Sequence, residues 1–128
     1  MPDEHTERSG ARDVTIFHNP SCSNSRGALV LLKEQSVDHE VVEYLVTPAD
    51  RETLEMIVAK LLNPVTELVR TSDPKFVALG LDPTAFVTPE QVIDLLLEHP
   101  ELMQRPVVMK GDRAVIARPS DRVSEVLA

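Results

Sequence analysis

The passage from a short apolar run into a helical pattern at residues 14–32 constrains the fold of this chain more than any other feature. Residues 14–17 are apolar or β-branched and predict a strand. A polar turn follows directly, and residues 26–32 then place leucine and alanine at helical spacing. A second strand is predicted at residues 40–44. A strand, a helix and a strand in this order require a parallel pair with a right-handed crossover.

The rest of the chain divides at its prolines and turn residues. Asp50 is predicted to cap a helix, short helices and turns follow, and a capping box at Thr88 predicts a helix that ends near residue 98. Residues 107–117 predict a hairpin with a tight turn at Gly111-Asp112, and a last helix follows it. The order βαβ…ββα predicts an α/β fold of the thioredoxin-like type with a helical insertion in the middle.

The length of 128 residues fits one domain, which we expect to span residues 13–128 after a disordered polar extension at residues 1–12. A formal charge of −8 disfavours nucleic-acid partners. The N-terminus lacks the apolar core of a signal peptide, and no apolar run approaches membrane-spanning length. With a single cysteine and no internal disulfide, we expect a soluble cytoplasmic protein without a membrane partner.

The single cysteine, Cys22, lies in the predicted strand-to-helix turn. Backbone N–H groups and the helix dipole at such a turn favour a thiolate and an incoming anion. The alternative is a small core residue, but proline, serine and asparagine neighbours are poor core residues. A zinc site would need about four Cys or His ligands, and only His18 is near. A dithiol motif would need a second cysteine where Ser25 stands, so we predict a functional thiol and no metal.

His18 and Arg26 stand four residues to either side of Cys22, and each has two interpretations. His18 either tunes the thiol or is a structural histidine that bonds the backbone. Arg26 either lowers the thiol pKa or faces solvent, and we favour a supporting role. Ser23 or Asn24 is the expected helix cap, because serine and asparagine side chains accept N–H groups of the first turn.

Three further arginines, Arg70, Arg105 and Arg118, each stand beside a chain break. An isolated arginine is usually a solvated surface residue, and composition alone does not distinguish these three from the others in the chain. Pro106 opens a predicted strand directly after one of them. An X-Pro bond is the only realistic place for a cis peptide, so the 105–106 bond is a candidate.

The signature His18-Asn19-Pro20-x-Cys22-Ser23-x-Ser25-Arg26 resembles that of the glutaredoxin-coupled arsenate reductases, a thioredoxin-fold family related to the Spx regulators. Gln104-Arg105-Pro106 and Ala117-Arg118-Pro119-Ser120 support the resemblance. Glu67-Leu68-Val69-Arg70 aligns with the region that supplies the family's first oxyanion-binding arginine. The similarity extends over residues 14–127.

The resemblance implies reduction of arsenate to arsenite, with Cys22 as the nucleophile and Arg70, Arg105 and Arg118 as the arsenate-binding arginines. Forked guanidinium donors match a tetrahedral oxyanion, and their charge favours the thiolate. The resemblance also implies no bound cofactor, glutathione or another low-molecular-weight thiol as co-substrate, and glutaredoxin as partner. The supporting residues implied are His18, Ser25, Arg26 and Pro106.

Two alternatives stay open from the sequence. One is an Spx-like regulatory protein that binds RNA polymerase; such proteins usually carry a Cys-x-x-Cys switch, and Ser25 in the second position argues against it. The other is a thiol-dependent reductase of unknown substrate. A thiol sheltered among three arginines suits a small oxyanion better than a protein disulfide.

Overall fold

The computed structural model describes residues 14–127, so the predicted extension at residues 1–12 lies outside the described residues. Its four strands are β1 (Val14–His18), β2 (His39–Glu43), β3 (Val107–Lys110) and β4 (Arg113–Ile116). They form one sheet in the order β2-β1-β3-β4. β1 and β2 pair in parallel, whereas β3 is antiparallel to both β1 and β4. The predicted βαβ unit and C-terminal hairpin are confirmed, and with them the thioredoxin-like α/β class.

Helices connect and cover this sheet. The α-helices are α1 (Ser23–Glu34), α2 (Arg51–Lys60), α3 (Pro74–Ala78), α4 (Pro89–Glu98) and α5 (Ser124–Leu127). Single 3-10 turns lie at Val65–Leu68, Pro83–Ala85, Pro100–Leu102 and Ser120–Val123. The predicted last helix therefore begins as a 3-10 turn and continues as α5. The insertion between β2 and β3 is helical, as predicted.

Local capping explains where two of these helices begin. Asp50 Oδ1 accepts the Thr53 N–H at 2.9 Å, which fixes the start of α2. Thr88 Oγ1 accepts the Gln91 N–H at 3.2 Å, and Gln91 Oε1 accepts the Thr88 N–H at 3.0 Å. Both predicted caps are confirmed, because each satisfies backbone donors that a helix start leaves without partners.

The sheet separates two apolar cores, since successive strand side chains point to opposite faces. Val14 and Ile16 pack on one face with α1 and α5, whereas Phe17 joins the core formed with α2 and α4. Burial on both faces fixes the register, because a one-residue slip would exchange the two faces.

The register brings three chain segments to one end of the sheet. Phe17, near the end of β1, pairs with Val107 at the start of β3, and Val107 pairs with Ile116 at the end of β4. The turn after β1, the segment before β3 and the segment after β4 therefore meet at this end. Cys22, Arg105 and Arg118 lie on those three segments.

Candidate active site

Cys22 is the N-cap residue of α1, so the prediction of Ser23 or Asn24 was wrong. Its backbone is extended, its carbonyl accepts the Arg26 N–H at 2.9 Å, and its own N–H donates to the Asn19 carbonyl at 3.0 Å. Within the described residues no side chain caps this helix start. Backbone bonds of the turn thus fix the start of α1, one residue before the serine that side-chain preference would favour. The thiol stands where first-turn N–H groups lack helical partners.

The Arg118 guanidinium lies against the thiol. Its Nη1 is 3.6 Å from Cys22 Sγ and also donates to the Arg105 carbonyl at 2.9 Å. Arg105 Nε is buried and has no hydrogen-bond partner among residues 14–127. A buried donor without a partner is rare and costly, and a guanidinium donor is satisfied best by an anion. The sulfur therefore contacts the Arg118 guanidinium, and the Arg105 side chain lies close enough to lower the pKa of the thiol.

These neighbours set the ionisation of the half-buried Cys22 thiol. Burial raises its pKa, as it does for any group that becomes an anion. Four neighbours lower the pKa and together outweigh the effect of burial: the backbone N–H of Ser25, the Arg105 side chain, the backbone N–H of Asn24 and the Arg118 side chain. The pKa of Cys22 consequently lies below its usual value, which favours the nucleophilic thiolate.

Arg70 reaches the same end of the sheet through the helical insertion. Backbone bonds from Arg70 N–H to the Leu102 carbonyl (2.9 Å) and from Gln104 N–H to the Leu68 carbonyl (2.8 Å) join the two segments. Arg70 Nη1 donates to Gln104 Oε1 at 2.7 Å, and the Arg105 N–H donates to the same oxygen at 3.3 Å. Gln104 thus connects two of the predicted arginines through one amide oxygen.

A cavity of about 420 Å³ lies beside these groups. Arg70 and Arg118 both line it, although they are far apart in sequence. Arg70 is held in place by Asp73, whose Oδ2 accepts its Nε at 3.1 Å. The structure thus brings Arg105 and Arg118 to the thiol and Arg70 to the cavity that Arg118 shares.

His18 and Ser25 lock the turn from inside. His18 Nδ1 and Ser25 Oγ are 2.6 Å apart, and the same Oγ accepts the Asn19 N–H at 2.9 Å. Ser25 is fully buried and His18 nearly so. Burial lowers the pKa of His18, and Arg26 and Lys33 lower it further against the opposing charge of Glu43. A neutral imidazole therefore anchors the strand end to the first turn of α1.

The other two predicted supporting residues lie at the borders of the turn. Arg26 is exposed, and its Nη1 donates to the Pro20 carbonyl at 2.9 Å, which bridges the loop. Pro106 follows a cis peptide, as predicted; the Arg118-Pro119 bond is also cis, which was not predicted. The Pro106 carbonyl accepts the Ala117 N–H at 3.0 Å and so ties β3 to the segment that carries Arg118.

Sequence reasoning missed Tyr44, the only tyrosine of the chain. Its side chain is buried, and its hydroxyl donates to the Met103 carbonyl at 3.3 Å. Burial raises the pKa of Tyr44, while the nearby Arg105 and Arg70 oppose that rise. The sequence did contain a signal for this residue, since Tyr44 is a lone polar aromatic residue directly after β2. That strand runs parallel to β1 and ends at the same edge of the sheet, so Tyr44 lies at the end that carries the site.

The described part of the chain offers no alternative centre for metal chemistry. Within residues 14–127, no group of three or more His, Cys, Asp or Glu side chains is placed to hold a metal ion.

Over the same residues, every helix is too short or too polar to cross a bilayer.

Known proteins are similar to this chain in sequence and in fold. The family described as ArsC matches residues 17–126. The uncharacterized protein YfgD of Escherichia coli is 40% identical over 117 residues, which is 91% of this chain and 98% of that protein. An arsenate reductase of Neisseria meningitidis is 38% identical over 116 residues, which is 90% of this chain and 98% of that protein. The solved arsenate reductase from Vibrio cholerae is 34% identical, with a TM-score of 0.78 over 88% of this chain and 96% of that one.

Proposed function

This chain belongs to the ArsC family, and we propose that it reduces arsenate to arsenite with Cys22 as its only nucleophile. The observation that carries the proposal is the thiol in contact with Arg118 and near the Arg105 side chain, whose buried Nε has no hydrogen-bond partner among residues 14–127. A tetrahedral oxyanion supplies the missing acceptor and brings an electrophilic centre to the sulfur. The relatives named arsenate reductase support arsenate as that oxyanion.

The first step forms a bond between Cys22 Sγ and arsenic. One arsenic–oxygen bond breaks, and the departing hydroxyl takes up a proton and leaves as water. Arg105 and Arg118 hold the anion at the sulfur, and Arg70 completes its binding from the cavity side. Their positive charge stabilises the negative charge that gathers on the arsenate oxygens as the bond forms.

The second step requires another molecule's thiol, because the chain has one cysteine. The thiolate of glutathione, or of another low-molecular-weight thiol, attacks Cys22 Sγ and forms a disulfide. The sulfur–arsenic bond breaks and its electron pair stays on arsenic, which passes from As(V) to As(III) and leaves as arsenite. Two sulfurs together supply the two electrons. Glutaredoxin then attacks the glutathione sulfur of the disulfide and releases the Cys22 thiolate, a cycle suited to the reducing cytoplasm.

A coupled assay tests this function. The full chain is mixed with arsenate, glutathione, glutaredoxin, glutathione reductase and NADPH, and arsenite is measured directly. We expect arsenite formation that Cys22→Ser abolishes. Arg105→Ala should lower kcat/KM by about 10- to 150-fold, since a charge-assisted contact is worth about 1.5–3 kcal/mol.

The matched control is Arg51→Ala, which removes an exposed arginine that pairs with Asp94 and does not line the cavity. It should leave the rate unchanged. Arsenite formation no faster than with Cys22→Ser would remove the proposed function.

A further inference from the structure

The cavity that Arg70 and Arg118 line is much larger than arsenate. Its volume is about 420 Å³. An oxyanion of five heavy atoms fills roughly the space of two or three water molecules, or about 60–90 Å³ at about 30 Å³ per water. Arsenate held by Arg70 and Arg118 would leave most of the cavity free. A volume of this size is typical of sites for small organic molecules, about 300–1,000 Å³.

The wall of the cavity is cationic in a protein of formal charge −8. Arg70, Arg118 and Arg122 line it, and Glu67 is the one carboxylate among the lining residues. The lining also carries neutral polar side chains, including Asn63 and Thr71. Such a wall favours a polar ligand with negative charge rather than an apolar one.

Arg122 is the lining arginine that the proposed chemistry at Cys22 does not use. Its Nε and Nη2 donate to the Glu125 carboxylate at 2.8 and 3.1 Å. A guanidinium has five N–H donors, so within residues 14–127 Nη1 and the second Nη2 hydrogen remain for a further anion. Its side chain is 33% exposed and therefore accessible from the cavity.

We propose that this cavity binds the reducing thiol and that Arg122 anchors a carboxylate of that thiol. The inference rests on the proposed function and narrows its co-substrate to thiols that carry a carboxylate, such as glutathione, against neutral thiols. Arg118 lines the cavity and its Nη1 also lies 3.6 Å from Cys22 Sγ, so this side chain connects the cavity to the sulfur, although Cys22 itself is not among the lining residues. Charge at Arg122 then sets the affinity for the thiol, while Arg105 acts on arsenate.

Binding of S-methylglutathione, which cannot react, tests the assignment without arsenate. We expect measurable binding to the full chain by calorimetry, and Arg122→Gln should weaken it by roughly fivefold to tenfold. The diethyl ester, which lacks both carboxylates, should bind more weakly and should not respond to Arg122→Gln. Glu125→Gln removes the same ion pair but keeps the guanidinium, so it should bind S-methylglutathione at least as tightly as the unaltered chain. Arg51→Gln should change nothing.

The outcomes separate this inference from the proposed function. Absent binding, equal affinity for acid and ester, or unchanged affinity in Arg122→Gln would overturn the inference. Arsenate reduction with equal KM for glutathione and its diethyl ester would also overturn it and leave the reductase in place. Arg122-dependent binding in a chain that never forms arsenite would support the ligand site and remove arsenate as the oxidant.

Discussion

A Cβ atom placed on Gly27 would lie 2.5 Å from Ser120 Oγ and 3.1 Å from Ser120 Cβ. Glycine therefore lets α1 approach the turn after β4, where Ser120 Oγ donates to the Asn24 carbonyl at 2.9 Å. Arg118 stands two residues before Ser120 and contacts Cys22, four residues after the end of β1. The close approach at Gly27 thus helps to place the guanidinium on the sulfur.

Gly27→Ala should destabilise the protein and weaken the contact between Arg118 and Cys22. Alanine gains about 1 kcal/mol of helix propensity over glycine, but overpacking against Ser120 costs about 1–3 kcal/mol. We expect a net loss in the free energy of unfolding by urea and slower alkylation of Cys22 at neutral pH. In a Ser120→Ala background the clash with Oγ disappears, so the same change should cost less. Equal effects in both backgrounds would contradict the close-approach argument.

The Cys22 thiol should react as a thiolate at a lower pH than a free cysteine does. Its pKa is lowered by backbone N–H groups and by the Arg105 and Arg118 side chains, against the effect of burial. The iodoacetamide rate followed against pH should therefore have its midpoint below that of glutathione. Arg118→Gln should move the midpoint to higher pH, whereas Arg51→Gln should not. A midpoint equal to that of glutathione would refute the electrostatic account of this site.

Ser25→Ala should lower the free energy of unfolding by about 1–3 kcal/mol, because it leaves buried groups of His18 and Asn19 without their partner. Urea unfolding at neutral pH measures the change. Ser23→Ala is the matched control, since Ser23 is exposed and begins the same helix. A loss of similar size at both positions would mean that helix start, rather than the buried bonds, explains the effect.

Acid should destabilise the fold through His18. Burial holds its pKa below the unfolded value of about 6.5, so the unfolded chain binds more protons in the interval between the two values. The stabilisation is present above the unfolded pKa and is lost as pH falls through the folded one. His18→Asn should flatten the fall in unfolding free energy below about pH 6.5. The control variant His39→Gln should retain the fall in unfolding free energy. If His18→Asn lost unfolding free energy with falling pH as steeply as the unaltered chain, the attribution of this acid effect to His18 would be wrong.

Local sequence rules were sufficient for most of the secondary structure and for the thiol. The apolar and β-branched residues of β1, the Asp50 and Thr88 caps and the turn at Gly111-Asp112 all depend on residues a few positions apart. The same holds for Cys22, whose neighbours alone indicate a strand-to-helix turn. The start of α1 was the local exception, because backbone bonds across the turn, rather than a serine or asparagine side chain, decided it.

The sequence by itself thus determined the order of elements and placed the one cysteine in the turn between the first strand and the first helix. Only the tertiary structure decided which cations surround it. Arg105 and Arg118 meet at Cys22 because the antiparallel register of β3 brings the ends of three strands together, and that pairing joins residues far apart in the chain. The position of Tyr44 near Arg105 and the position of Arg122 in the cavity lining depend on the same long-range packing. No local periodicity encodes such contacts, since the free energy that fixes them comes from the two cores on either side of the sheet.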